Sequence, residues 1–329
     1  LFGVNKQLFA SPVFMQIDTI TPEQISPPAA SPFKKRNPLV AFVLSLVMPG
    51  LGQVYNGQVN KAVICFAVTL LIPVLLGLGR FLVNYQGLVA YIAIEFLFRI
   101  TVLIDAILSA NKRKVYELKR YNKWYVYAGV FLAFITLSFL VDINQITGFQ
   151  TFVIPSTSNE PDLMSGDHSM ADLRAYEEKE PEYGDFVIFE MESVSYVWPL
   201  VGLPGDTIEI KNNILYINGI ECTQQFVSEA QNKDYPLPHA KAKVYLETLP
   251  NGFKHHITLF DLPVDTSIVT IEPYVVPFGH YYLVGNSRHN SGDSRYIGPV
   301  SLADVKGRLM YSYWNSSGKE MHKDFTKSK

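Results

Sequence analysis

The sequence predicts a multi-span α-helical membrane region followed by a mainly β domain on the extracytoplasmic side. Three observations predict it. Hydrophobic residues make up 48% of the chain at a mean hydropathy of +0.11, and they cluster in the first half. A loop holding Lys112, Arg113, Lys114, Lys119, Arg120 and Lys123 separates the last two apolar segments, opposed only by Glu117. After residue 144 the pattern changes to short apolar runs bounded by turn residues, the habit of strands.

The bounds are simple. A chain of 329 residues is long enough for two domains. The net charge of −2 suggests no nucleic-acid partner. Cys65 lies in an apolar run and Cys222 in the polar half, so an internal disulfide is not expected. No metal cluster can be built from them, and no cofactor is expected.

Residues 1–37 read as a disordered tail, with Pro, Ser, Thr and Ala abundant between 15 and 33. Leu1 to Phe14 precede the first methionine, Met15, and read either as upstream translation or as part of a fragment. Lys34-Lys35-Arg36 then abuts residues 38–110, a membrane region of three apolar segments. The first, Leu39 to about Leu51, is broken by Pro49-Gly50-Leu51-Gly52 and is short against the ~20 residues of a full crossing. The second is Ala62 to Leu78. The third is Leu88 to Leu108, where Glu95 and Arg99 stand four apart and read either as a functional site or relay or, the favoured expectation, as a helix-stabilising pair on a face turned to the bundle interior. Residues 111–123 form the basic loop and should be cytoplasmic. Residues 124–143 are a fourth, transmembrane helix led by Trp124, Tyr125 and Tyr127. An even number of crossings must separate the two basic clusters, which makes the first segment the candidate for a re-entrant piece. Pro49 to Gln58 and Ile104-Asp105-Ala106 resemble the small bacterial membrane modules called TM2-like.

Residues 144–329 are the predicted β-domain. Asp185 to Glu190, Thr207 to Lys211, Ile214 to Gly219, His280 to Val284 and Arg308 to Tyr313 read as strands, and Asn212-Asn213 as a tight hairpin turn. Helical period shows at Met170 to Glu178. Residues about 223–275, with scattered strands, prolines and Lys241-Ala-Lys243, read as an insertion rather than as core.

At the seam between the halves stand Ser156 and Ser158, which share a side in an extended segment. One such serine can be a nucleophile while the other donates to a developing oxyanion. Taken alone the pair is more often an ordinary polar loop. Ile154-Pro-Ser-Thr-Ser158 with Pro161 and Gly166-Asp167, Tyr183 to Phe189, Val201-Gly-Leu-Pro-Gly-Asp206, and Gly285 to Gly298 change that reading. Four boxes in this order resemble those of type I signal peptidases, membrane-anchored serine endopeptidases that remove signal peptides from exported preproteins. The resemblance runs over roughly residues 124–315. It implies a signal-peptidase-type β-domain, signal peptides and the lipid bilayer as partners, and the bacterial cytoplasmic (inner) membrane as location.

Residue by residue, the resemblance implies Ser158 as nucleophile and Ser156 as the hydroxyl that joins the Ser158 N–H in the oxyanion hole. Ser291 is implied to orient the catalytic lysine, and Asp293 with Arg295 to support the site. The lysine itself is absent. Its position, three before Val201, holds Trp198, whose indole only donates and cannot accept a proton. Trp198 is expected to point toward Ser158 and fill the pocket that would desolvate the lysine. Pro199, Asn159 and Asn286 also depart from the family pattern. Three readings follow. The chain is a working peptidase with a base borrowed from His289 or His168, or an inactive homologue that binds signal peptides or a partner peptidase, or a membrane interaction module.

Overall fold

The computed structural model describes residues 34–231, 241–261, 269–315, 318 and 322–327. The expectation for residues 1–33 lies outside them. α1 (Pro38–Val47) is capped by the Asn37 side chain and ends at Met48. Gly50 at φ +103° then turns the chain into the single-turn α2 (Leu51–Tyr55). The first apolar segment is therefore broken where Pro49-Gly50 sits. At ten residues α1 spans only about 15 Å. α3 (Val59–Leu78) and α4 (Tyr85–Lys112) are the two described helices long and apolar enough to cross a membrane. α5 (Trp124–Leu140) has 17 residues, about 25 Å. α6 (Ile143–Thr147) leads into the β-domain.

The first basic cluster meets the second. The Lys34 N–H donates to the Tyr116 carbonyl at 2.8 Å, and the Arg36 guanidinium lies between the Tyr55 and Tyr116 rings, 4.5 and 4.0 Å from their centroids. The opposite end of the α3–α4 hairpin docks on the β-domain. Arg80 pairs with Asp172, Leu82 is buried with Phe149, Met170, Met310 and Tyr311, and the Tyr311 hydroxyl donates to the Leu82 carbonyl at 3.0 Å. The helices that precede the β-domain and the domain itself are thus packed together at one end of the hairpin.

The domain is built on one mixed-length antiparallel sheet in the order β1 (Phe149–Val153), β2 (Asp167–Asp172), β14 (Val305–Asn315), β3 (Phe186–Met191), β4 (Val194–Gly202), β12 (His280–Leu283), β13 (Val300–Ser301), with β15 (Lys323–Asp324) on β14. A second sheet orders β11 (Ile271–Val275), β5 (Thr207–Lys211), β6 (Ile214–Ile217) and β7 (Ile220–Glu221). A third orders β10 (Lys254–Phe260), β9 (Lys241–Thr248) and β8 (Gln224–Gln231). Asn212 and Asn213, at φ +50° and +68°, make the predicted two-residue turn, and Lys211 faces Ile214 across it. Glu192 and Ser193 make a similar turn between β3 and β4 at φ +51° and +64°.

Three expectations are corrected. Met170 to Glu178 is not helical: β2 runs to Asp172 between β1 and β14, and turns follow. Two flanking strands satisfy its backbone, which outweighs a weak local period. The 223–275 region does not stand apart from the core. Its Glu247 and His255 are 0% and 1% exposed, and Ile271 belongs to the sheet of β5. The Glu95–Arg99 pair forms at 3.0 Å and faces the bundle only in part: the glutamate side chain is 16% exposed and the arginine 47%. Both Cys65 and Cys222 are free thiols.

Candidate active site

The serine loop is a closed device. The Ile154 N–H donates to the Asp167 carbonyl and the Gly166 N–H to the Ile154 carbonyl, at 2.9 and 2.7 Å, so residues 154 to 167 leave and return at one point. Within it Ser156 and Ser158 do share a side: their hydroxyl oxygens are 3.1 Å apart. Asn159 is buried and its amide donates to the Val197 carbonyl at 2.7 Å, which ties the loop to β4. The Asn159 side chain at this position is therefore a structural tether. From the other side the Ser287 N–H donates to the Ser158 carbonyl at 2.9 Å, and the Asn290 amide to the Thr157 hydroxyl at 2.7 Å.

The last box supports this grip. Arg295 donates to both carboxylate oxygens of Asp293 at 2.8 Å, and neither side chain is more than 1% exposed. Asp293 also accepts from the Gly285 N–H at 2.8 Å and caps the helical turn α7 (Ser294–Ile297). Gly285 has to be glycine: a Cβ there would collide with the Ser291 side chain and lie 2.8 Å from the Ser158 carbonyl. Ser291 is buried, and its hydroxyl has no hydrogen-bond partner.

A cavity of about 570 Å³ opens beside the serine pair. Ser156, Ser158, Asn290 and Gly292 line its polar end, and Phe152, Ile188, Met191, Val194, Val197 and Leu309 are among its apolar walls. Trp198 lines it too, but the indole is 4% exposed and packs in the cluster of Val187, Phe189, Leu200 and Tyr281. Its ring lies 5.2 Å from Phe189 and 5.5 Å from Tyr196, centre to centre. Trp198 thus serves the core as well as the cavity that Ser158 lines.

Neither candidate histidine lines the cavity. His289 Nδ1 accepts from the Phe260 N–H at 3.0 Å and Nε2 lies 3.1 Å from the Asn213 side-chain oxygen, so the proton sits on Nε2. Burial and then the Arg295 charge hold this imidazole below its ordinary pKa. His168 packs on the Trp314 ring, 4.5 Å centre to centre.

A second group of residues, which sequence reasoning missed, braces the loop from behind. Arg288 pairs with Glu247, and His255 stands 3.1 Å from the same carboxylate and 3.0 Å from the Asn286 side-chain oxygen. The Asn286 amide reaches Asp162 at 3.4 Å, and Asp162 accepts from the His256 N–H at 2.9 Å. Thr258 joins the last box through two backbone bonds, from its N–H to the Asn286 carbonyl and from the Arg288 N–H to its own carbonyl. Asn286, where the family has aspartate, donates to a carboxylate here; an aspartate would bring two carboxylates together. The Glu247 carboxyl is pushed up by burial but pulled down further by Arg288 and His255, to about 2. Asp162 was the available signal, since it lies in the serine box itself.

Paired hydroxyls on a braced loop thus open on an apolar cavity in a mainly β domain. The family described as signal peptidase, peptidase S26, matches residues 126–314, more than half of the chain. The chain belongs to that family. It is 29% identical over 227 residues to signal peptidase I of Pseudomonas aeruginosa, covering 59% of this chain and 76% of that one. It is 28% identical over 195 residues to signal peptidase I of Aquifex aeolicus, covering 50% and 76%. Among solved structures, a signal peptidase I from Enterococcus faecalis V583 is 28% identical and covers 40% of this chain and 98% of that chain, at a TM-score of 0.23.

Proposed function

We propose that this protein engages the signal peptides of exported preproteins at the cavity beside Ser156 and Ser158, as a membrane-embedded member of the family that cleaves them slowly or not at all. The observation that carries the reading is the chemistry of the cavity wall. Among the described residues, no lysine, histidine, arginine or carboxylate lines it. The position of the family's general base is an indole packed among aromatic rings. A serine hydroxyl without a base is a weak nucleophile. General-base assistance is typically worth about 10²–10⁴-fold, and loss of one member of a coupled pair can cost about 10⁶.

Binding does not need the base. An extended peptide gains main-chain hydrogen bonds from strand addition and side-chain selectivity from pockets. β1, which ends at the serine loop, is an edge strand of the main sheet. Fluorescence anisotropy with a labelled signal peptide ending in Ala-x-Ala is expected to show saturable binding to the detergent-purified chain. A version with bulky residues at both alanine positions is expected to bind at least tenfold more weakly. Equal binding of the two would remove the substrate groove from the proposal.

The same reading places the β-domain outside the cytoplasm. Supporting it, the two basic clusters touch at one end of the α3–α4 hairpin while the β-domain packs on the other end. Two crossings, α3 and α4, give the even parity that the clusters require, with α1 too short to add a third. α5 then carries the chain across. Protease added outside intact cells, with any outer envelope opened, is expected to digest residues after 144 and spare the 112–123 loop. Cleavage confined to that loop would invert the orientation and end the signal-peptide reading.

A further inference from the structure

The α3–α4 hairpin grips the β-domain at one end of the strands that carry the serine loop. Two nitrogens of the Arg80 guanidinium donate to the Asp172 carboxylate, one of them at 2.9 Å, and the guanidinium lies 5.0 Å from the Phe149 ring centre. Leu82 is buried in one cluster with Phe149, Met170, Met310 and Tyr311, and the Tyr85 ring meets that of Tyr311 edge to face at 6.2 Å. The hairpin also meets α6, since a Cβ on Gly77 would lie 2.4 Å from Thr147 Cγ2. The strand contacts fall on β1, β2 and β14, which are neighbours in the main sheet.

The serines stand at the far end of the same strands. In the register of β1 on β2, Phe149 faces Asp172 at the hairpin end and Val153 faces His168 at the other. The Ile154 N–H then donates to the Asp167 carbonyl, where the serine loop opens. On β14, Arg308 faces Asp172 and Asn315 faces Asp167. The grip and the loop are thus separated by β1, five residues long, which is about 16 Å. β1 is an edge strand, so a peptide added along it covers the same span with about five extended residues.

We propose that the α3–α4 hairpin is a ruler. By holding the β-domain at one height, it fixes the spacer that a membrane-inserted signal peptide needs between its apolar core and its scissile bond, at about five residues. This rests on the signal-peptide and membrane readings above and is independent of cleavage. Residues 79–84 join the two helices long enough to cross a bilayer, so Arg80 and Leu82 lie at its surface. A tether through α5 and α6 alone would leave the domain free to rise and turn. The Arg80–Asp172 pair and the buried Leu82 remove that freedom. A substrate anchored by its apolar core and held at the cavity by its Ala-x-Ala end is bivalent. Its affinity collapses when the spacer cannot reach, is highest when the spacer matches the span, and falls slowly beyond that length. Arg80 and Leu82 are positioning residues here, and neither lines the cavity.

The test uses the full-length chain in immobilised phosphatidylcholine nanodiscs, with empty nanodiscs as the blank. Labelled signal peptides share one apolar core and place three, five or eight residues, Ala-x-Ala included, between that core and the scissile bond. Wild type is expected to bind the five-residue version at least tenfold more tightly than the three-residue one, and less than threefold more tightly than the eight-residue one. Arg80→Gln, alone or with Leu82→Ala, should reduce the tenfold preference to below threefold. A soluble Ala-x-Ala peptide without the apolar core should bind wild type and both variants alike, which damage to the serine loop would not allow. Wild type indifferent to spacer length, or a tenfold preference kept in both variants, would overturn the proposal. Loss of soluble-peptide binding in the single variant would make the hairpin a brace of the serine loop and overturn it too. Failure of every peptide to bind wild type, the soluble one included, would instead sink the signal-peptide reading on which it stands.

Discussion

Replacing Trp198 by lysine is expected to raise Ser158-dependent preprotein cleavage by about 10²-fold or more over wild type. Trp198 stands on β4 opposite Val187, three residues before Val201, where the family's lysine belongs. A lysine there would enter the cluster of Val187, Phe189, Leu200 and Leu283. Such surroundings disfavour the ammonium and lower its pKa, which the chemistry needs. The buried, unpartnered Ser291 hydroxyl is available to receive the amine, and the Asp293–Arg295 pair holds that segment still. Two features limit the gain. Pro199 fixes the backbone beside the new lysine. Removing the indole also leaves space next to Phe189 and Tyr196, and large-to-small core changes of this kind cost about 3–5 kcal/mol. Cleavage would be followed on wild type, Ser158→Ala, Trp198→Lys and the double variant, with thermal unfolding as a check on folding. The gain should vanish in the double variant. Strong wild-type cleavage that Ser158→Ala abolishes would show a functioning base and end the slow-cleavage proposal.

Much of the domain could be read from the sequence because its strands are locally marked. β3, β5, β6, β12 and β14 alternate or run apolar between turn residues, and Asn212-Asn213 is a pair that tolerates positive φ. The Glu192-Ser193 turn carries no such mark, yet it has the same form because β3 and β4 are pinned by the rest of the sheet. The serine pair and the Asp293–Arg295 pair were legible as sequence boxes, and the geometry brings both to one loop system. What stayed hidden depends on distant partners. Glu247 and His255 look like surface residues of a polar insertion; only contacts 31 and 41 residues away in sequence, to Asn286 and Arg288, bury them. The exposed face of Arg99 was hidden for the same reason, since the helix pattern gives the pair but not what packs on it.

Breaking the Glu247–Arg288 pair is expected to destabilise the β-domain by about 3–5 kcal/mol, because a partner left behind is an uncompensated buried charge. Glu247 is 0% exposed, Arg288 1%, and His255 1%. Glu247→Ala strands Arg288 and His255 together; Arg288→Ala leaves the carboxylate with His255 and the Gln224 amide, which donates to it at 3.1 Å. For a domain of this size the loss corresponds to a fall in Tm on the order of 10 °C. The damage should reach the serines, since Arg288 follows Ser287, whose N–H holds the Ser158 carbonyl, and Arg288 itself donates its N–H to Thr258. Signal-peptide affinity should therefore fall along with stability. Replacing both partners by apolar residues, Glu247→Leu with Arg288→Met, should cost less than the sum of the single changes. The pH dependence has a definite sign. The folded carboxyl titrates at about 2, below its ordinary value of 4.5. Its contribution is thus present above pH 4.5 and is lost as pH falls toward 2. Thermal unfolding of wild type and Glu247→Gln from pH 7 to pH 2.5 measures this directly. The two curves should converge at the acid end, and a gap that stays constant down to pH 2.5 would show that the ionised carboxylate is not what braces the loop.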